Sequence, residues 1–430
     1  MTDALSVYLH EQYLGTITPN RTDSKRISFT LDDSFSPGPI RLTEAFSTAP
    51  GAKPRNEAAS NFFGGYAPEG NQRKAMADER RVGETDLFAL LREFGGSIAG
   101  AVTFRSPDEP KTYKPIYSPI EPKTVAARLR QAVEKHDLGL QDDSRSMLPG
   151  FQPKLLLARF EGGWFEPHGR AHSTHILKPE LSNRPEAIHN EYYSHLLARH
   201  MNLASFHSEM VAIGATRFLS IERYDRRVDG DQVSLIHQED AAQALGLEWS
   251  DANAKFQDPK SPKRSGRPSA EAVATLMASL ETEGDPVATW LRQLIYHVLI
   301  GNNDAHAKNV GLLHTEEGAT ITQLYDAVPN LYQEGRIDWN LAMSVDGEFD
   351  HRRISVEKII AEATSWKAIS SSRIADVVSE TLEAFGSALN RVTAPKNVAA
   401  LLEPQLQWNL ERLEKGFEIG EPKRRKVIAN

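Results

Sequence analysis

Residues 301–313 read GNNDAHAKNVGLL, a short polar run set between two apolar segments. On its N-terminal side the pattern predicts a buried helix. Asp285 is a good N-cap residue, and Pro286 suits the first turn. Val287, Trp290, Leu291, Leu294, Ile295, Val298 and Leu299 then form one apolar stripe, which Gly301 ends. On its C-terminal side, Val310–His314 and Thr320–Tyr325 predict a hairpin around Glu316, Glu317 and Gly318. A loop held between a rigid helix and a strand suits chemistry that needs accurate placement.

Asp304 and Asn309 stand five positions apart, the spacing of the aspartate and asparagine in a protein-kinase catalytic loop. There the aspartate accepts the proton of the substrate hydroxyl, and the asparagine carbonyl oxygen is a hard ligand suited to Mg²⁺. The predicted hairpin returns the chain to Asp326, where a kinase carries its second metal-binding carboxylate. Singly, these residues have commoner readings. Asp304 or Asp326 could cap a turn, His306 could be a hydrogen-bonded loop histidine, and Lys308 a solvated charge. Taken in order as D-x-H-x-K-N, then strand, strand and aspartate, they favour phosphoryl transfer.

That reaction rests on positioning and charge neutralisation, and the upstream sequence offers parts for both. Gly150, Phe151, Gln152, Pro153 and Lys154 form a loop before a predicted strand, Leu155–Phe160, and suit a cover for nucleotide phosphates. Lys178 ends a second strand, Thr174–Lys178, and is the expected phosphate-binding lysine. Glu191 lies in a predicted helix, 186–203, with Ile188, Tyr192 and Leu196 in one row, and is the expected partner of that lysine. Strands at Glu209–Ile213 and Phe218–Tyr224 follow, and Glu222, Arg223 and Tyr224 stand where a kinase hinge meets adenine.

Residues 1–105 read as a small unit of their own. Leu5, Val7 and Leu9 alternate on one strand face, His10–Gln12 read as a turn, and Tyr13–Thr18 and Lys25–Leu31 as further strands. Residues 84–105 read as helix, glycine-rich break and strand. Five prolines between 107 and 122 predict a linker, and Val125–Glu134 a short helix. The expected domains are therefore 1–105, 106–225 and a mostly helical 226–430, in which 252–268 is a polar, basic, proline-rich loop and 355–418 are amphipathic helices.

The 430 residues have ordinary globular composition, 40% hydrophobic and 25% charged. A net charge of −8 gives no global signature of a nucleic-acid binder, although residues 423–426 are a short basic cluster. With no cysteine, disulfides, thiolate-bound zinc and cysteine nucleophiles are excluded. No apolar run approaches the roughly 20 residues of a membrane span, and residues 1–15 do not read as a signal peptide, so the expected location is the cytoplasm.

These motifs together resemble the HipA serine/threonine kinase toxins of bacterial toxin–antitoxin modules. The matching residues are GFQPK at 150–154, HILKP at 175–179, NEYY at 190–193, IERYDRR at 221–227, HQEDAAQALG at 237–246, GNNDAHAKN at 301–309 and YDAVPN at 325–330, with GGSIAGAV at 95–102 at the end of the N-terminal part. The resemblance implies an α+β, two-lobed protein-kinase-like fold with an extra N-terminal α/β subdomain and a mostly helical C-terminal lobe. It implies that Asp304 is the proton acceptor, that Asn309 and Asp326 hold Mg²⁺, and that Lys178 and the 150–154 loop contact ATP phosphates. By the same resemblance Glu222 to Tyr224 lie at the adenine, and His306 and Lys308 act in the catalytic loop. It further implies an acceptor serine on an aminoacyl-tRNA synthetase, the glutamyl enzyme being the classical target. A HipB-like helix-turn-helix antitoxin is the implied partner, reaching DNA mainly on the kinase's behalf. In the family an autophosphorylated serine stands three residues before the loop glycine. Here that position is Met147, and Ser146 is one residue out of register. Two other readings stand beside the protein kinase: a catalytically quiet co-repressor that binds the antitoxin, and a small-molecule kinase on the same scaffold.

Overall fold

Leu5, Val7 and Leu9 are buried on one face of β1 (Leu5–Leu9), as their alternation predicts. The structure, a computed structural model, describes residues 3–35, 38–107, 109, 114–135, 145–150, 152–333 and 338–421. The chain turns at His10 and Glu11, with φ of 47° and 66°, the left-handed pair that a two-residue hairpin favours. It returns as β2 (Gln12–Pro19) and continues into β3 (Ile27–Leu31); with β4 (Val102–Arg105) these form an antiparallel sheet in the order β3-β2-β1-β4. Helices α1 (Asn56–Gly64), α2 (Gly70–Arg80) and α3 (Leu87–Phe94) accompany this sheet. Only α3 is expected from the sequence. Phe29, Phe62, Phe63 and Phe104 share the core of this part, with Phe29 and Phe63 edge-on at 5.1 Å between ring centres.

A six-stranded antiparallel sheet follows, in the order β5-β7-β6-β8-β10-β9. Its strands are β5 (Pro115–Pro119), β6 (Leu155–Phe160), β7 (Gly163–Gly169), β8 (His175–Pro179), β9 (Ser208–Ile213) and β10 (Thr216–Glu222). Two of these correct the sequence reading. The proline-rich stretch, which reads as a linker, contains β5, which pairs with β7 at the sheet edge, where proline's missing N–H is tolerated. β7 itself was not expected, because Gly163, Pro167 and Gly169 hide its strand character. Helix α4 (Pro122–Lys135) packs Val125 and Leu129 against Leu155, Leu157, Leu177 and Phe218 of the sheet.

The region after Gln238 is less helical than its pattern suggests. A hairpin of β11 (Arg226–Asp229) and β12 (Gln232–Leu235) leads to β13 (His237–Asp240), which pairs with β14 (Gly311–Thr315); β15 (Gly318–Ile321) lies beyond β14. The second strand of the predicted hairpin thus ends at Ile321, not at Tyr325. Asp240 starts the short α6 (Ala241–Ala244) with a full capping box to Gln243. These elements, apart from Ile321 at the end of β15, fall in one compact unit made of Met1–Glu180, Phe206–Ala254 and Gly311–Thr320.

Leu181–Ser205, Lys255–Val310 and Ile321–Asn430 form a second unit. It contains α5 (Ala187–His200), α7 (Ala270–Ala278), α8 (Pro286–Ile300), the hairpin β16 (Asn340–Val345) and β17 (Glu348–Asp350), and α9 (Val356–Ser365), α10 (Ser371–Arg391) and α11 (Leu402–Glu414). α8 is the predicted helix, with Trp290, Leu291, Ile295 and Tyr296 fully buried among α7, α10 and α11. The buried face of α5 differs from the expected row: Tyr193 and Leu197 are buried, and Tyr192 and Leu196 only partly. Residues 252–268 are irregular, yet Ala254, Lys255 and Gln257 are buried, and Gln257 accepts from the Ser344 amide at 2.7 Å. No helix among the described residues is long and apolar enough to cross a membrane. The basic cluster at 423–426 lies outside the described residues.

Candidate active site

The site begins with the way α8 ends. The Asp285 carboxylate accepts from the Ala288 amide at 3.0 Å and starts the helix. At the other end Gly301 takes φ 67°, and a Cβ there would stand 2.5 Å from the Tyr332 ring, so both conformation and space require glycine. A helix leaves its last carbonyls without partners. Here the Val298 carbonyl accepts from His351 Nε2 at 2.7 Å, and the Leu299 carbonyl accepts from Asn409 Nδ2 at 2.8 Å. The residue that follows the helix is therefore delivered from a fixed point.

Next after Gly301, Asn302 is buried, and its Oδ1 accepts from the Asp304 amide at 3.0 Å. Five residues beyond Asp304, Asn309 Nδ2 donates to the Asp304 carbonyl at 2.9 Å. The Asp304 backbone is thus held on both sides, while its side chain is 53% exposed. His306 is buried, with Nε2 3.9 Å from Asp304 Oδ1 and its ring edge-on to Phe256 at 5.1 Å. Lys308 is half-buried, and its carbonyl accepts from the Tyr325 hydroxyl at 2.8 Å. This bond ties the loop to the segment carrying Asp326, a residue in the left-handed region with φ 52°. Asp304, His306, Lys308, Asn309 and Asp326 are therefore assembled within the second unit. The segment before Asp326 is tied to the same unit, because Gln293 Nε2 donates to the Thr322 carbonyl at 2.9 Å.

Among the described residues no three His, Cys, Asp or Glu side chains cluster as a metal cage. Mg²⁺ needs none, because it commonly takes one or two protein oxygens and completes its shell with water and phosphate. The Asn309 amide nitrogen is already engaged, which leaves its carbonyl oxygen as the end suited to a hard cation. Asp326 supplies a carboxylate, and its charge is felt at His297, where it opposes the lowering caused by burial. This donor set is all oxygen and fits Mg²⁺.

The remaining expected residues are in the first unit, except Glu191. Gly150 has φ 120°, and Lys154, buried, donates from Nζ to the Pro149 carbonyl at 2.8 Å. A Cβ at Gly150 would stand 2.7 Å from that ammonium, so glycine lets the lysine fold onto its own loop. Gln152 and Pro153 are half-buried, and Phe151 lies outside the described residues. Lys178 is buried on β8, opposite Leu219 of β10. Glu191 is buried on α5, with Oε1 3.7 Å from His195 Nε2. Ser146 is buried too: it forms a parallel bridge with Ser97, and the Met147 amide donates to the Ser97 carbonyl at 3.0 Å.

The 222–224 segment holds an arrangement that the sequence reading missed. The Glu222 and Arg223 amides donate to the His207 and Thr174 carbonyls, both at 2.9 Å. The Arg223 guanidinium donates to Asp225, to Ser173 Oγ at 2.9 Å and to the Ile98 carbonyl at 3.1 Å. Asp225, fully buried, also accepts from Arg226 at 2.9 Å and from the Gly100 amide at 2.8 Å. Burial pushes the Asp225 carboxyl upward, but Arg223 and Arg226 outweigh it and hold it below the ordinary carboxylate range. The Tyr224 hydroxyl donates to Gln238 Oε1. This buried clamp joins the 98–100 loop to the end of β10. The signal available in the sequence was the charge pattern Arg223, Asp225, Arg226 directly after a strand. His297 was also missed, and there the signal was a polar residue within an apolar stripe; Asn302 stands in the quoted polar run, where its spacing suggested no role.

Comparison with known proteins gives the family of the chain. The HipA-like C-terminal domain matches residues 146–389, and the HipA N-terminal domain matches residues 5–105. A Sinorhizobium fredii protein, Y4mE, is 30% identical over 75% of this chain and 76% of its own length. The serine/threonine-protein kinase toxin HipA of Shewanella oneidensis is 28% identical over 84% of this chain and 82% of its own. The solved Shewanella oneidensis HipA, in a complex with HipB and operator DNA, shares the fold with a TM-score of 0.79, at 22% identity, over 96% of this chain and 98% of that one. By sequence over most of its length, and by fold, this chain belongs to the HipA family.

Proposed function

We propose that this chain is an ATP- and Mg²⁺-dependent serine/threonine protein kinase that acts as the toxin of a toxin–antitoxin pair. The observation that carries the reading is the exposed Asp304 carboxylate on a backbone pinned by Asn302 and Asn309. A general base has to reach a substrate hydroxyl while its own position is fixed, and this arrangement meets both needs. Asp304 takes the proton of an acceptor serine as its Oγ forms a bond to the γ-phosphorus. The bond from that phosphorus to the bridging oxygen breaks, and ADP leaves. Lys308 offsets charge on the transferring group. Asn309 and Asp326 hold Mg²⁺, which supplies neutralisation of phosphate charge. Lys178 and the Gly150–Lys154 loop bind nucleotide phosphates, and the end of β10 meets the adenine.

The acceptor in this proposal is a serine of a translation protein, an aminoacyl-tRNA synthetase such as the glutamyl enzyme. A HipB-like helix-turn-helix protein neutralises the kinase and carries it to operator DNA; the solved Shewanella complex contains HipA, HipB and operator DNA. The resemblance of the motifs supports both points. Incubation of the purified chain with γ-labelled ATP, Mg²⁺ and cell extract tests the reading. The expected result is phosphoserine on one synthetase. Label on a metabolite would replace it with a small-molecule kinase, and absence of transfer with intact antitoxin binding would replace it with a co-repressor.

A further inference from the structure

Beneath the loop, one buried histidine has a proton whose place can be deduced. The Asp304 backbone N–H can only donate, so the Asn302 side-chain atom 3.0 Å away is its carbonyl oxygen. The other Asn302 terminus, 3.1 Å from His297 Nδ1, is then the amide nitrogen, which donates. His297 Nδ1 therefore accepts, and the ring proton of the neutral imidazole sits on Nε2. The side chain is 2% exposed, and among the described residues Nε2 has no hydrogen-bond partner. Burial holds the group down at about 4, with Asp326 opposing the shift, so the ring is neutral near pH 7. A buried N–H donor left open is rare in a folded protein and marks a place where a partner arrives.

We infer that His297 is a positioning residue with two outputs: through Nδ1 it fixes Asn302, and so Asp304, and through Nε2–H it supports Asp326 when that carboxylate holds Mg²⁺. The first output is a chain of bonds already in place. Asn302 Oδ1 receives the Asp304 amide and, at 3.4 Å, Asn330 Nδ2, so one side chain spaces the base loop from the segment that follows Asp326. The second output rests on the proposed metal role of Asp326. Such an outer partner fixes the direction of a ligating carboxylate, and its loss commonly lowers metal affinity or activity by about 10- to 100-fold.

Long-range ¹H–¹⁵N correlation spectra of the full chain, labelled with ¹⁵N-histidine, read the tautomer directly. Without nucleotide, His297 should show a protonated Nε2 and a bare Nδ1; an Nδ1–H tautomer would overturn the inference whatever the activity. Addition of Mg²⁺ with a non-hydrolysable ATP analogue should shift Nε2–H, and Asp326→Asn should abolish that shift. Calorimetry of the same Mg²⁺–analogue mixture separates the two possible failures. Binding without a shift at Nε2 overturns this inference alone, whereas no binding overturns its metal half together with the kinase reading. In transfer assays, His297→Phe should raise the half-saturating Mg²⁺ by about 10- to 100-fold. His297→Gln, whose amide can donate from the Nε2 position, should recover most of that change. A purely structural role would instead lower the melting temperature of both variants and leave the Mg²⁺ requirement of the folded fraction unmoved.

Discussion

At the scale of single residues, exposure and fixation divide the labour in the loop. Asp304 is open to solvent, whereas Asn302, His306 and Asn309 beside it are buried. In the proposed reaction Asp326 and Asn309 supply oxygens for Mg²⁺, so Asp326→Ala and Asn309→Ala should each raise the Mg²⁺ concentration needed for half-maximal transfer. A Mg²⁺ titration of initial rates checks this, and unchanged Mg²⁺ dependence in both variants would remove these residues from the metal. The place of the loop after α8 was legible in the sequence because its residues are contiguous and carry a spaced motif. His297 and Asn302 were not, because their roles depend on which atom faces which. A one-dimensional pattern records a polar residue in an apolar helix but not its hydrogen-bond direction.

At the scale of elements, α8 and the clamp after β10 set the positions of functional segments. Gly301→Ala would force an L-residue into φ 67° and push a methyl into the Tyr332 ring. The expected cost is more than about 1 kcal/mol of unfolding free energy, with a loss of transfer larger than the unfolded fraction accounts for. Denaturant unfolding alongside initial rates measures both. Asp225→Ala would leave Arg223 and Arg226 buried without their common counter-charge, and should cost about 3–5 kcal/mol in the same unfolding measurement. A cost below 1 kcal/mol would mean that the clamp contributes little. α8 was legible through its cap, its stripe and its terminal glycine. β5 and β7 were not, because proline and glycine depress strand signals and edge pairing tolerates them. The strand after Gly318 was placed too far along, since a ladder ends where its partner does and not where apolar residues stop.

At the scale of the whole molecule, the HipA membership and the α+β architecture were readable because ordered motifs span the chain, whereas α1 and α2 lie in a stretch that none of those motifs covers. Several buried histidines also give the fold a common acid sensitivity. Burial lowers His351 and His175 to about 4, and lowers His237 further below its ordinary value. The unfolded chain binds protons at His351 and His175 near pH 6.5, the folded chain only near 4. Between those values the unfolded state holds more protons, so stability is full above about pH 6.5 and falls as the pH drops toward 4. Melting temperatures across that range should decline steadily. A flat profile down to pH 4 would contradict the buried neutral state of these rings.

In the proposed reaction Asp304 accepts the serine proton during γ-phosphoryl transfer. The most direct test of that role is the rate of ³²P transfer from γ-labelled ATP to the acceptor protein by Asp304→Asn, alongside wild type, with Mg²⁺–ATP binding and melting temperature measured on the same preparations. The rate should fall by about 10²- to 10⁴-fold with binding and melting unchanged, because the side chain is exposed and its backbone contacts survive the substitution. Transfer at near wild-type rate would contradict that role.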